Sequence, residues 1–205
     1  MFRWVISIMS RQDGPWWRSH AGYNSGGFGS NMPLESAYII LNEIMRALEQ
    51  PHIGIVGIYG SSNANRKNAV DKVTKRVERD GLFNVVVKTS VKKKPDSKRI
   101  QGELGNLLGL QLHEKTTRER ATRLCERIKM KDKILIILHD FQREIDLAEI
   151  GIPFGNDHKG CKILLVAENK ESLPHKMKTQ IEIDMDKEVL LDPACGGGGC
   201  GGGDV

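Results

Sequence analysis

The stretch GIVGIYGSSNANRKNAV, residues 54–70, decides how the rest of the chain is read. An apolar run (Ile53, Ile55, Val56, Ile58) ends at Gly60, two adjacent cations follow at Arg66 and Lys67, and a helical pattern begins. Strand, turn and helix in that order are the layout of a phosphate-binding loop. Such a loop works because backbone N–H groups and a helix start converge on an anion. Glycines let the backbone wrap the phosphates, a lysine neutralises the outer ones and a hydroxyl holds magnesium. Counted from Gly60 in the spacing G-x-x-x-x-G-K-[ST], the chain offers Asn65, Arg66 and Lys67 where glycine, lysine and hydroxyl belong. The layout is that of a nucleotide site; the side chains are not.

Outward from this stretch, strand-like and helix-like segments alternate. Upstream, PLESAYIILNEIMRALEQ (33–50) places Ala37, Ile40, Leu41, Ile44, Met45 and Leu48 at steps of three and four, one apolar helical face, and Pro51 follows as a stop. Downstream, Ala69, Val70, Val73 and Val77 make one face of a helix over 66–79, with Gly81 just past its end. LFNVVVKT (82–89) is β-branched and strand-like. Residues 95–110 read as a helix capped by Ser97, with Ile100, Leu104, Leu107 and Leu108 facing inward. Thr116 and Glu119 have capping-box spacing ahead of Ala121, Leu124 and Ile128.

KILIILHD (133–140) and CKILLVA (161–167) are continuous apolar runs of strand length, the mark of strands covered on both faces. QIEIDM (180–185) alternates and adds a further strand. The fold class that follows is α/β: a three-layer domain with a parallel sheet near 53–58, 83–89, 134–138 and 161–167, and helices on both faces.

The 205-residue length suits one domain with a real core, and 39% hydrophobic and 28% charged residues are globular values. Residues 1–32 hold all three tryptophans and a Gly/Ser/Asn-rich run, and read as a loosely ordered leader; 33–190 is the folded domain; 191–205 is a glycine-rich flexible tail. The net charge is +5, densest at Lys92, Lys93, Lys94, Lys98 and Arg99. No aromatic residue interleaves with that cluster, so it reads as a solvated face rather than a nucleic-acid surface. Cys125 and Cys161 read as small buried hydrophobes. Cys195 and Cys200 have no further ligand nearby in sequence, so no metal site is expected. No stretch reaches the roughly 18 apolar residues of a membrane span. Residues 1–14 fail as a secretion signal, which points to the cytoplasm.

Longer segments carry a resemblance. VGIYG, GLFNVVV, IQGELGNLLGLQL, KILIILHDF and LAEIGIPFGNDHKGCKILL, in that order and spacing, resemble the NB-ARC nucleotide-binding domain of plant coiled-coil, leucine-rich-repeat disease-resistance proteins over about residues 33–190. The resemblance implies a P-loop NTPase-like fold. It also implies a switch that holds ADP when off and ATP when on, gating defence signalling and cell death.

Departures fall on the chemistry. The family pattern carries glycine at 62, 63 and 65, lysine at 66 and threonine at 67 and 68; here stand Ser62, Asn63, Asn65, Arg66, Lys67 and Asn68. Of the two aspartates after the apolar strand, the one implied for magnesium is His139, and Asp140 remains. The family's Thr-Ser-Arg after the next strand is Val166-Ala167-Glu168, an anion in place of a cation. Three charge-assisted contacts at about 1.5–3 kcal/mol each amount to a loss on the order of a thousandfold or more.

The expected nucleotide-binding residues are Gly60, Arg66 and Asp140, with weak binding of ADP or ATP, no metal, no catalytic residue and no ATP turnover. The family's later helical subdomains and repeats have no counterpart in the sequence, which reads as a truncated relative. Two functions follow: a defence-signalling switch module with a decayed site, or a non-catalytic interaction module that docks on intact resistance proteins.

Overall fold

The computed structural model describes residues 34–91, 96–141, 145–173 and 179–187. The expected leader (1–32) and tail (191–205), Lys92 to Lys94, and Cys195 and Cys200 lie outside the described residues.

Helix α1 (Leu34–Glu49) precedes strand β1 (Ile55–Tyr59) and helix α2 (Asn63–Arg79). Strand β2 (Val85–Ser90), helices α3 (Ser97–Leu107) and α4 (Thr117–Lys129), strand β3 (Ile134–Phe141) and the single turn α5 (Leu147–Ile150) follow. Strands β4 (Cys161–Ala167) and β5 (Ile181–Asp184) complete a sheet of order β2-β3-β4-β1-β5 with every pairing parallel. This is the expected α/β architecture, a parallel sheet with helices on both faces.

Period-two alternation along the central strands sorts the core into two layers. Ile134, Ile136 and Leu138 of β3 pack with Ile100 and Leu104 of α3, Leu124 and Ile128 of α4, and Leu147 and Ile150 of α5. Leu135 and Ile137 face the other way, onto Ile44 and Leu48 of α1 and Val70, Val73 and Val77 of α2. All five of these β3 side chains are fully buried, and each aliphatic group so buried contributes about 1.5–3 kcal/mol.

The helix ends follow local chemistry. Gly81 (φ 63) closes α2 in a Schellman turn, with Leu82 N–H donating to Val77 O (3.0 Å) and Gly81 N–H to Glu78 O (3.3 Å). Thr116 and Glu119 form the expected capping box.

Three local readings are corrected. The N-cap of α3 is Asp96, whose carboxylate accepts from Lys98 N–H at 3.0 Å, and not Ser97, which is the first helical residue. Leu107 is 54% exposed. The buried stripe of α3 is completed by Gln101 and Gly105, which moves its centre about a quarter turn away and leaves Leu107 on the rim. Cys161 is buried as expected, but Cys125 is only partly so. Among the described residues no helix is long and apolar enough to cross a membrane.

Candidate functional site at the carboxyl ends of the strands

The carboxyl ends of β1, β3 and β4 lie side by side, because β4 sits between the other two. Parallel register aligns Ser90, His139, Val166 and Ile58 in one row across the sheet. Open α/β sheets bind ligands at this edge, outside the strand ends near a reversal of strand order.

From β1 the chain turns at Gly60, whose N–H donates to Ala167 O at 3.3 Å. Gly60 is buried against the end of β5: a Cβ there would stand 3.0 Å from Met185 Cβ and 3.2 Å from Asp186 Oδ1. Helix α2 then starts at Asn63, three residues ahead of the expected 66. Ser62 has extended backbone and caps the helix, its Oγ accepting from Asn65 N–H at 3.3 Å. A serine cap offers the first turn an acceptor of its own, so Asn63, Ala64 and Asn65 of the expected open loop have joined the helix. None of residues 60–66 has a positive φ.

Several polar groups of this turn have internal partners. Ser61 N–H donates to Asp186 Oδ2 at 2.6 Å. The Arg66 guanidinium folds back to donate through Nη1 to Gly60 O and to Ser61 O, the latter at 2.9 Å. Asn65 Oδ1 is buried and has no hydrogen-bond partner.

Beside this turn is a pocket of about 210 Å³. Arg66, Lys67 and Lys88 bring positive charge to it, Asp71 and Asp140 negative charge, and Asn63, Val70, His139 and Val166 complete the lining. Lys88 is paired with Asp71 at 3.2 Å.

Asp140 sits in a β-bulge with φ 61, a left-handed conformation that Asp tolerates better than most residues. The bulge aims its Oδ2 at the Ser90 hydroxyl and at His139 Nδ1, each 2.9 Å away. Burial pushes the Asp140 carboxyl up, but the Ser90 hydroxyl, His139 and Lys67 together outweigh it and leave the carboxyl below its ordinary value.

Of the expected site residues, the structure brings Arg66 and Asp140 to one pocket, while Gly60 lies under Met185 and Asp186 and does not line it. Glu168 is exposed and also stands outside the lining. Sequence reasoning missed Asp186, Lys88 and Asp71. Nothing in the sequence signals Asp186, which reaches Ser61 from 125 positions away. Lys88 and Asp71 looked like ordinary solvated charges of a strand and a helix. Among the described residues no group of three or more His, Cys, Asp or Glu side chains could hold a metal ion.

Comparison with known proteins bears on the same region. The model of the NB-ARC domain matches residues 39–195. A probable disease resistance protein of Arabidopsis thaliana is 30% identical over 133 residues, covering 65% of this chain and 14% of its own length. The disease resistance protein RFL1 of the same plant is 26% identical over 148 residues, covering 68% of this chain and 17% of its own. This chain thus spans less than a fifth of the length of either relative. Among solved structures, the Aeropyrum pernix ORC2 protein, in ADPNP-ADP complexes, is 18% identical with a TM-score of 0.44 over 73% of this chain and 45% of that one.

Proposed function

Because the chain belongs to the NB-ARC family, we propose that it is a defence-signalling nucleotide-binding module whose site has lost turnover and retains only weak, magnesium-independent affinity for ADP or ATP. The observation that carries this is the start of α2 at Asn63. A phosphate cradle needs several free N–H groups around a concave turn, usually with residues in left-handed conformation. Here Ser61 N–H is taken by Asp186, Asn65 N–H by Ser62, and the Gly60 and Ser61 carbonyls by Arg66. The family's magnesium position is also unsuited to its ion: Lys67 stands where a hydroxyl would be, and His139 where a carboxylate would be. The residues present therefore do not fit a magnesium–nucleotide complex. Phosphoryl transfer, which depends on metal and aligned water, has no support at this site.

The nucleotide-binding residues proposed remain Gly60, Arg66 and Asp140, and of the three only Arg66 carries a charge that attracts an anion. The start of α2 supplies a positive dipole end, Lys67 adds a cation that shares the pocket with Asp140, and the Arg66 guanidinium would have to leave two carbonyls to reach a ligand. The folded unit proposed for this role is residues 33–190, working in the cytoplasm. Calorimetric titration of the chain with ADP, with and without magnesium, tests the reading, together with phosphate release from ATP. Weak binding indifferent to magnesium and no phosphate release are expected. Submicromolar binding or measurable hydrolysis refutes it.

A second reading is favoured by the contrast between core and site. The apolar side chains of β3 from Ile134 to Leu138 and of β4 are buried between two packed layers, while the loop residues expected to hold nucleotide are replaced. A fold kept intact without its chemistry suits a protein-interaction module that docks on longer resistance proteins. Co-purification with such a relative, unaffected by added ADP, supports that role.

A further inference from the structure

We propose that Asp186 is a tethered anion that closes the turn after β1 to free phosphate groups. The inference rests on reading residues 60–66 as the chain's anion-binding position. It adds an internal competitor, supplied by the segment that follows β5.

The geometry is specific. Beyond the last ladder pair, Tyr59 with Asp184, the parallel run continues for one more residue, as Met185 N–H donates to Tyr59 O at 2.8 Å. This sets Asp186 over Gly60 and Ser61. Asp186 N–H donates to Asp184 Oδ1 at 2.9 Å, which fixes the backbone, and its own Oδ2 accepts from Ser61 N–H at 2.6 Å. Gly60 suits this approach, because a Cβ there would stand 3.0 Å from Met185 Cβ and 3.2 Å from Asp186 Oδ1, and the neighbours would have to give by a few tenths of an ångström.

The turn is thus held from two sides. Its Ser61 N–H meets a carboxylate, and its Gly60 and Ser61 carbonyls meet the Arg66 guanidinium. An arriving phosphate would compete with Asp186 for that N–H and be repelled by its charge. Ser61 and Asp186 are both exposed, so the contact is open to water and can be displaced. That makes it a competitor and not a permanent plug.

The test uses the full chain in three versions besides the unmodified one: Asp186→Asn, Asp186→Ala, and Glu78→Gln as a control. Glu78 is exposed at the far end of α2, and its variant makes the same change in net charge. Hydrogen exchange of the Ser61 amide reads the contact itself, and Asp186→Ala is expected to speed it at least fivefold while Glu78→Gln leaves it unchanged. Inorganic pyrophosphate reads the competition. Removing one unit charge a few ångströms from the anion is expected to tighten binding about fivefold or more, with less than a twofold change in Glu78→Gln.

Equal Ser61 exchange in all versions overturns the proposal. So does pyrophosphate affinity in the Asp186 variants no greater than in Glu78→Gln, including the case in which none of them binds. Tight, magnesium-dependent ADP binding by the unmodified chain would defeat the proposed function, yet the ratio between Asp186 and Glu78 variants would still decide this inference.

Discussion

Rebuilding the turn after β1 tests the proposal that its side chains limit nucleotide binding. The perturbation is Ser62→Gly, Asn63→Gly, Asn65→Gly, Arg66→Lys and Lys67→Thr in a single chain. Its cost and its gain can both be worked from the structure. Asn63 and Asn65 lie in the first turn of α2, where glycine costs about 0.3 kcal/mol more than asparagine at each position. Loss of the Ser62 cap, with its bond to Asn65 N–H, removes a further few tenths of a kcal/mol because the replacement is glycine. Together about 1 kcal/mol of helix stability is removed, so the first turn should fray and α2 should begin nearer 66.

Unwinding frees Asn65 N–H from its cap, and replacing Arg66 frees the Gly60 and Ser61 carbonyls that its guanidinium holds. A single regained charge-assisted contact to a diphosphate is worth about 1.5–3 kcal/mol, and spending part of it on ordering the loop leaves a net gain. ADP affinity measured by calorimetry should rise at least tenfold, or about 1.4 kcal/mol. Denaturant unfolding without nucleotide should show the variant less stable than the parent. Magnesium should still have little effect, since His139 is unchanged. If the five changes leave ADP affinity where it was, the start of α2 at Asn63 is not what limits binding and the reasoning fails.

Three further outcomes are expected. Gly151→Ala should destabilise the fold by about 3 kcal/mol or more, because Gly151 has φ 93 and a Cβ there would lie 2.3 Å from Ala121 O; a change below 1 kcal/mol in urea unfolding would contradict the α4–α5 packing. Ile136→Ala, at a fully buried position in the central layer, should cost about 2–5 kcal/mol by the same measure. The Asp140 carboxyl sits below its ordinary value, since the Ser90 hydroxyl, His139 and Lys67 outweigh the upward push of burial. A depressed carboxyl contributes stability that is present above its unfolded value and lost as pH falls through its folded one. The stability difference between the parent and Asp140→Asn should therefore shrink between pH 6 and pH 3; an unchanged difference would mean that the Ser90 and His139 contacts are not made in solution.

The elements were legible in the sequence wherever one residue type forces one outcome. The unbroken run from Ile134 to Leu138 left no exposed face, so it had to be a covered strand, and the Thr116–Glu119 pair announced the start of α4. Leu107 was misplaced because a helical stripe was drawn through the apolar residues alone, while the structure buries Gln101, whose Nε2 donates to Thr117 O and Glu149 O at 3.0 Å each. The site was legible only in part. Motif spacing singled out Arg66 and Asp140, which line one pocket, but the bulge that turns Asp140 toward Ser90 depends on neighbouring strands. The early start of α2 was readable in principle from Ser62 as a cap, a signal overridden by the expectation of an open loop. Asp186 could not be found, since contact with Ser61 exists only once β5 has paired with β1.

That pairing also shapes how the chain must come together. Strand β1 has β4 on one side and β5 on the other. Ile55 is matched with Ile163 and Val56 with Ile181, so both neighbours lie more than a hundred residues downstream. Chains are synthesised from the amino end, and contacts so distant in sequence are slow to form. While the polypeptide emerges, Ile55, Val56 and Ile58 have no sheet to enter, and α1 and α2 can offer only a temporary shelter for one face. Of the strands of this sheet, β1 is made first and is among the last to be secured. During that interval both its edges are open to association with other chains, and a chaperone that covers short apolar β-segments would act on this one.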